Sequence, residues 1–129
     1  MDMKALPSME HTFPIKVKGS NTGLLYEGTF TYRRPNIRVE SEIAKTAAIL
    51  DGGLKTLDAD VKDFHFILAH LKHTLTNFPE WWKDSDCGYE LYDSNVVTFI
   101  DNKCQEFETN WKKKVFTQEE ENESEGKSV

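Results

Sequence analysis

The sequence predicts an α+β domain: an N-terminal β-hairpin packed on a small bundle of about three helices, with a disordered acidic C-terminal tail. Three observations carry that prediction. Apolar residues alternate with period two on both sides of "GSNTG" (residues 19–23), as in half-buried strands. From Val61 to Phe78 they recur at steps of three and four, as on an amphipathic helix. After Phe116 the apolar stripe stops and five glutamates follow, a composition with too little apolar surface to order itself. Residues 1–11 then read as a flexible N-terminus, 12–116 as one α+β domain and 117–129 as the tail.

In the hairpin, Phe13, Ile15 and Val17 alternate with Pro14, Lys16 and Lys18, and the return strand alternates through Leu24, Tyr26, Gly28, Phe30 and Tyr32. Gly19 and Gly23 suit a turn because glycine tolerates positive φ. Pro14 has no N–H to give to a ladder, which makes the first strand an edge. A lone hairpin is marginal in water. It must pack on the helices or pair with another chain, and its edge offers a surface for self-association. Pro35-Asn36 then breaks the strand. Ile43, Ala47, Leu50 and Leu54 mark a first helix, with Glu40 and Glu42 near its positive end and Asp51-Gly52-Gly53 as its stop.

The second helix has Val61, Phe64, Leu68, Leu71, Leu75 and Phe78 on one stripe. Asp58 or Asp60 caps its start, and Pro79 ends it by pushing Phe78 out of helical geometry. A third helix carries Val96, Val97, Ile100, Cys104, Phe107, Trp111 and Val115 on one face. Asp93, Ser94 or Asn95 caps it, and Lys112, Lys113 and Lys114 sit at its C-terminal end, where the dipole favours cations.

Composition narrows the function. The 129 residues are 38% hydrophobic and 29% charged, which suits one folded domain. A net charge of -6 gives no basis for a general nucleic-acid binder. The two basic spots, Arg33-Arg34 and Lys112 to Lys114, read as solvated surface. No apolar run reaches the ~18 residues of a membrane span, and the N-terminus lacks the apolar core of a signal peptide. Both features indicate a cytoplasmic protein, as do two cysteines, Cys87 and Cys104, too few for a disulfide framework and without zinc-site spacing.

Catalytic chemistry finds little support. His70 and His73 lie about 60° apart on the second helix at 100° per residue, but His65 does not converge with them. There is no nucleophile elbow, no phosphate loop and no complete calcium loop. Cys87 stands among Asp84, Asp86 and Glu90, which oppose thiolate formation. The reading is a non-enzyme without cofactor or metal, acting through surfaces. Phe66 and His73 fall off the core stripe of the second helix and make a second face. Trp81 and Trp82 follow Pro79, and neighbouring side chains cannot share one face of a regular element. One indole is expected in the core and the other outside, where a rigid aromatic anchors a partner.

The order of these features carries a resemblance. "LLYEGTFTYRRP", a small-residue helix ending "ILDGGL", a helix running into "FPEWW", the turn "DSDCGYELYDSNVV" and a C-terminal helix with an acidic tail follow one another. This layout is similar to the tail assembly chaperones of tailed bacteriophages, over about residues 13–116. The resemblance implies a small non-enzymatic protein of the host cytoplasm that binds the tape-measure protein and recruits tail-tube subunits. It also implies absence from the finished particle, and a longer second form made by ribosomal frameshifting. The pronounced hairpin departs from the more helical members and keeps an alternative open: a structural virion protein, a head decoration or a neck or tail component.

Overall fold

The computed structural model describes residues 6–127, with side chains through Thr117. In chain order the elements are β1 (Glu10–Lys18), β2 (Leu25–Arg33), α1 (Ile37–Leu50), α2 (Ala59–Thr74), β3 (Leu75–Asn77), α3 (Glu80–Asp84) and α4 (Ser94–Lys127). The fold is α+β, with an antiparallel N-terminal hairpin and three helices longer than two turns.

The alternation read from sequence sets the sheet's two faces. β1 and β2 pair antiparallel with Phe13 opposite Phe30, Ile15 opposite Gly28 and Val17 opposite Tyr26. Phe13, Ile15, Tyr26, Phe30 and Tyr32 are buried on one face, while Lys16, Glu27 and Thr29 stay exposed on the other. The buried face meets Leu68 and Leu71 of α2, Trp82 of α3, and Val96, Val97, Ile100 and Cys104 of α4 in one core. Gly28 is required there, because a Cβ would run into the Pro79 ring.

β1 starts at Glu10, and the Met9 carbonyl accepts from the Arg34 N–H at 2.8 Å. Glu10 and His11, expected in the flexible N-terminus, therefore belong to the sheet; residues 1–5 of that segment lie outside the described residues. α1 begins where Asn36 accepts from Val39 N–H, and Asp58 caps α2 by accepting from Asp60 N–H. The stop after α1 is as expected, with Gly52 and Gly53 at φ 64° and 73°, backbone space that glycine enters without penalty.

Two elements correct the sequence reading. The helical stripe was expected to run to Phe78, but α2 ends at Thr74 and the chain continues as β3. β3 pairs with β2, Leu75 opposite Tyr32 and Asn77 opposite Thr31, giving the sheet order β1-β2-β3. The backbone groups on β2's second edge give Leu75–Asn77 hydrogen bonds that end the helix a turn early, and Leu75 keeps its place in the core. The segment after Pro79 forms the short helix α3, which brings Trp82 beneath the sheet. α4 buries Trp111 and Val115, and its backbone stays helical to Lys127. The disordered acidic tail expected over residues 117–129 falls on residues that, past Thr117, lie outside those whose side chains are described.

Candidate functional site

α1, α2 and α4 leave a cleft of about 410 Å³ between them, lined by Pro35, Glu40, Ile43, Phe66, His70 and Gln105. Each lining residue has a local cause. Pro35 and the Asn36 cap fix where α1 leaves the sheet. Ile43 is the buried anchor of α1, and Glu40, one turn earlier, reaches the rim. Phe66 and His70 are four residues apart on α2, so they lie one above the other. Their rings stack at 6.4 Å with 15° between planes. Phe66 remains 54% exposed, an aromatic surface open at the mouth of the cleft.

Behind His70 lies a polar cluster. The Tyr32 hydroxyl donates to Glu108 Oε1 at 2.7 Å, and Arg34 Nε donates to Glu108 Oε2 at 2.9 Å. The Arg34 guanidinium also lies 3.7 Å from the centre of the Trp111 ring. Arg34, expected as solvated surface, is instead paired and stacked; Arg33 is the exposed one, bridged to Glu10. With the Tyr32 proton committed to Glu108, the long 3.5 Å contact from Tyr32 to His70 Nε2 needs Nε2–H as donor. His70 Nδ1 is then a buried lone pair without a partner. Burial lowers the His70 pKa and the charges of Asp101 and Glu108 oppose that, so the ring is neutral at neutral pH. Apolar lining with a few fixed polar groups is what a binding cleft offers.

The four partner-contact residues read from the sequence do not converge. Phe66 is exposed in the cleft. His73 is half-buried and turned to α1, with Nε2 2.7 Å from Thr46 Oγ1; it joins two helices rather than facing a partner. Trp82 is fully buried, edge-on to Phe30 at 5.8 Å, and cannot meet a partner. Trp81 is half-buried against Tyr26 at 5.1 Å, and its indole N–H donates to the Glu27 carbonyl at 2.9 Å. The expected division of the pair holds for Trp82 in the core. Trp81 corrects the rest, since it closes the sheet's edge instead of standing outside.

The remaining candidates are structural. His65 Nδ1 lies 2.8 Å from Asp51 Oδ1 and ties α2 to the turn after α1. Burial raises the Cys87 thiol, with Asp86 adding and Lys72 opposing, and burial likewise raises Cys104. Among the described residues, no group of three His, Cys, Asp or Glu is placed to hold a metal ion. No helix of the described residues is long and apolar enough to cross a membrane.

Sequence reasoning missed the clip that orients the hairpin. Asp93 was expected as a helix cap, but its buried carboxylate turns to the hairpin loop. It accepts from Asn21 N–H at 2.7 Å, Thr22 N–H at 2.9 Å, Thr22 Oγ1 at 2.5 Å and Tyr26 OH at 2.8 Å. Asn95 accepts from Ser20 N–H and Oγ and donates to the Lys18 carbonyl. Burial alone would raise the Asp93 pKa; the bonds from Thr22, Tyr26 and Asn21 outweigh it and hold the pKa down to about 2. Gly19 leaves the room Asp93 fills. No local signal marks this pairing, because the partners lie some 70 residues apart.

Comparison with protein-family models, curated protein sequences and solved structures returned no match.

Proposed function

We propose that this protein is a non-enzymatic assembly factor of a tailed bacteriophage, a tail assembly chaperone that holds the tape-measure protein while tail-tube subunits are recruited. The observation that carries the reading is the cleft with Phe66 exposed at its mouth. Its volume suits one or two apolar side chains of an amphipathic helix, the form in which a long helical partner is held in a groove. Glu40 and Gln105 give the rim polar groups that orient such a helix. A single open aromatic with few polar contacts fits a partner that must later be released. The sequence layout described above supplies the phage context and the site of action, the host cytoplasm.

The structural virion alternative rests on β1, whose outer edge has no neighbouring strand among the described residues. Pro14 interrupts the row of N–H donors along that strand, which weakens strand addition there. The test is co-expression of the tagged protein with the tape-measure protein. Co-purification that a Phe66→Glu substitution abolishes supports the cleft as the holding site. Co-purification indifferent to that substitution, or none at all, contradicts it.

A further inference from the structure

The polar groups of the cleft between α1, α2 and α4 share one property: each presents an acceptor. Glu40 is an exposed carboxylate on the rim. Gln105 has its amide Nε2 3.4 Å from Asp101 Oδ1. A carboxylate oxygen only accepts, so the nitrogen faces Asp101 and Oε1 points away from it. His70 commits Nε2–H to Tyr32, which leaves Nδ1 as a buried lone pair without a partner. Three acceptors from three different helices, gathered around one opening, match a group that only donates.

The charge of the cleft points the same way. Among the described residues, Glu40 and the buried Asp101 have no ion-pair partner. No lysine or arginine of the described residues lines the cleft. Arg34, next to Pro35 in the chain, is already engaged: its guanidinium donates to Glu108 and lies over the Trp111 ring. Phe66 adds a further preference, because an exposed aromatic face attracts a cation through the negative face of its ring. An ammonium group is a compact, strongly hydrated point charge. A guanidinium is planar and weakly hydrated, and it stacks on an aromatic ring while its five N–H donors reach acceptors around its edge. An aromatic wall with dispersed acceptors suits the guanidinium.

We propose that the cleft takes an arginine side chain of its partner helix, stacked on Phe66, with Glu40 as its counter-ion and Gln105 and His70 as neutral acceptors. The inference rests on the cleft being the holding site and adds the chemistry of what is held. The partner is an amphipathic helix whose apolar residues meet Ile43 and Phe66 and which carries an arginine beside them. An exposed ion pair is weak by itself. Selectivity comes from the carboxylate, the ring and the acceptors acting on one group.

A titration of the full chain followed by 1H–15N NMR tests it. The probe is an alanine-based helical peptide with two leucines four residues apart and an arginine one turn further on. In the control peptide citrulline replaces the arginine; it keeps the planar shape and loses the charge. Shifts are expected to centre on Phe66, His70 and Gln105, with the arginine peptide bound at least tenfold more tightly, about 1.4 kcal/mol. Glu40→Gln changes an exposed residue conservatively, and the spectrum itself shows that the variant is folded. It should cut the ratio to threefold or less and leave the affinity for the citrulline peptide within twofold. A citrulline peptide that binds as tightly as the arginine peptide, or a ratio that Glu40→Gln does not reduce, overturns the proposal and leaves the cleft as an apolar groove. Peptides that bind elsewhere or not at all overturn both the proposal and the cleft as the holding site.

Discussion

Replacing Trp82 with alanine removes the largest fully buried side chain of the core. The indole fills the space between Phe30 and the left-handed turn at Asp86, Cys87 and Gly88, where a Cβ on Gly88 would strike its ring. A hole of that shape cannot close by small shifts, because a sheet bounds it on one side and a constrained turn on the other. Buried Trp→Ala changes cost about 3–5 kcal/mol, a large fraction of the ~5–15 kcal/mol that holds a domain of this size. Trp81→Ala removes a half-buried ring and one hydrogen bond to Glu27; with about 1 kcal/mol for that bond and part of a ring's burial, the loss is about 2 kcal/mol. Trp82→Phe is milder than Trp82→Ala, since it keeps a ring and removes an indole N–H that has no partner. Urea melts followed by far-UV circular dichroism give all three values, free of the fluorescence change that losing an indole brings. Equal losses for Trp81→Ala and Trp82→Ala would refute the assignment of one to the core and the other to its margin.

Three further outcomes are expected. Asp93 has a folded pKa below the roughly 3.9 of an unfolded aspartate, so its contribution is complete above about pH 4 and is lost as pH falls toward 2. Urea melts from pH 2 to 6 should show a weaker acid dependence for Asp93→Asn, and identical slopes would contradict the clip. Phe66→Ala should leave stability within about 1 kcal/mol, because the ring is more than half exposed; under the proposed function it should also weaken binding of the tape-measure protein by about 2 kcal/mol or more, roughly thirtyfold, and urea melts with titration calorimetry separate the two effects. Lys112-Lys113-Lys114 must be encoded by an adenine-rich run. Expression with native downstream DNA should give a second, longer band that synonymous lysine codons abolish, and a single band counts against the chaperone resemblance.

The hairpin was legible because burial on one face leaves a period-two trace in Phe13, Ile15, Tyr26, Phe30 and Tyr32. The centre of α2 was legible for the same kind of reason, with Leu68 and Leu71 both buried. What escaped is non-local. Leu75 carries a helical spacing but sits in a strand, because the open edge of β2 competes for its backbone and no window around Leu75 contains β2. The Asp93 clip joins a loop tip to a helix start far along the chain, and both halves look like ordinary turn and cap residues. Phe66 was legible as an off-stripe aromatic. The cleft it opens was not, since it depends on where Pro35, Ile43 and Gln105 arrive from other elements. Trp81 misled because adjacency argues about faces of a regular element, whereas α3 is so short that Trp81 and Trp82 both reach the underside of the sheet.

The most direct measurement of the proposed role is quantitative mass spectrometry of infected-cell lysate and of purified phage particles in parallel. A chaperone of tail assembly is abundant in the lysate, co-sediments there with the tape-measure protein, and is absent from the finished particle. Recovery of the protein in many copies per particle would contradict that role and make it a virion component.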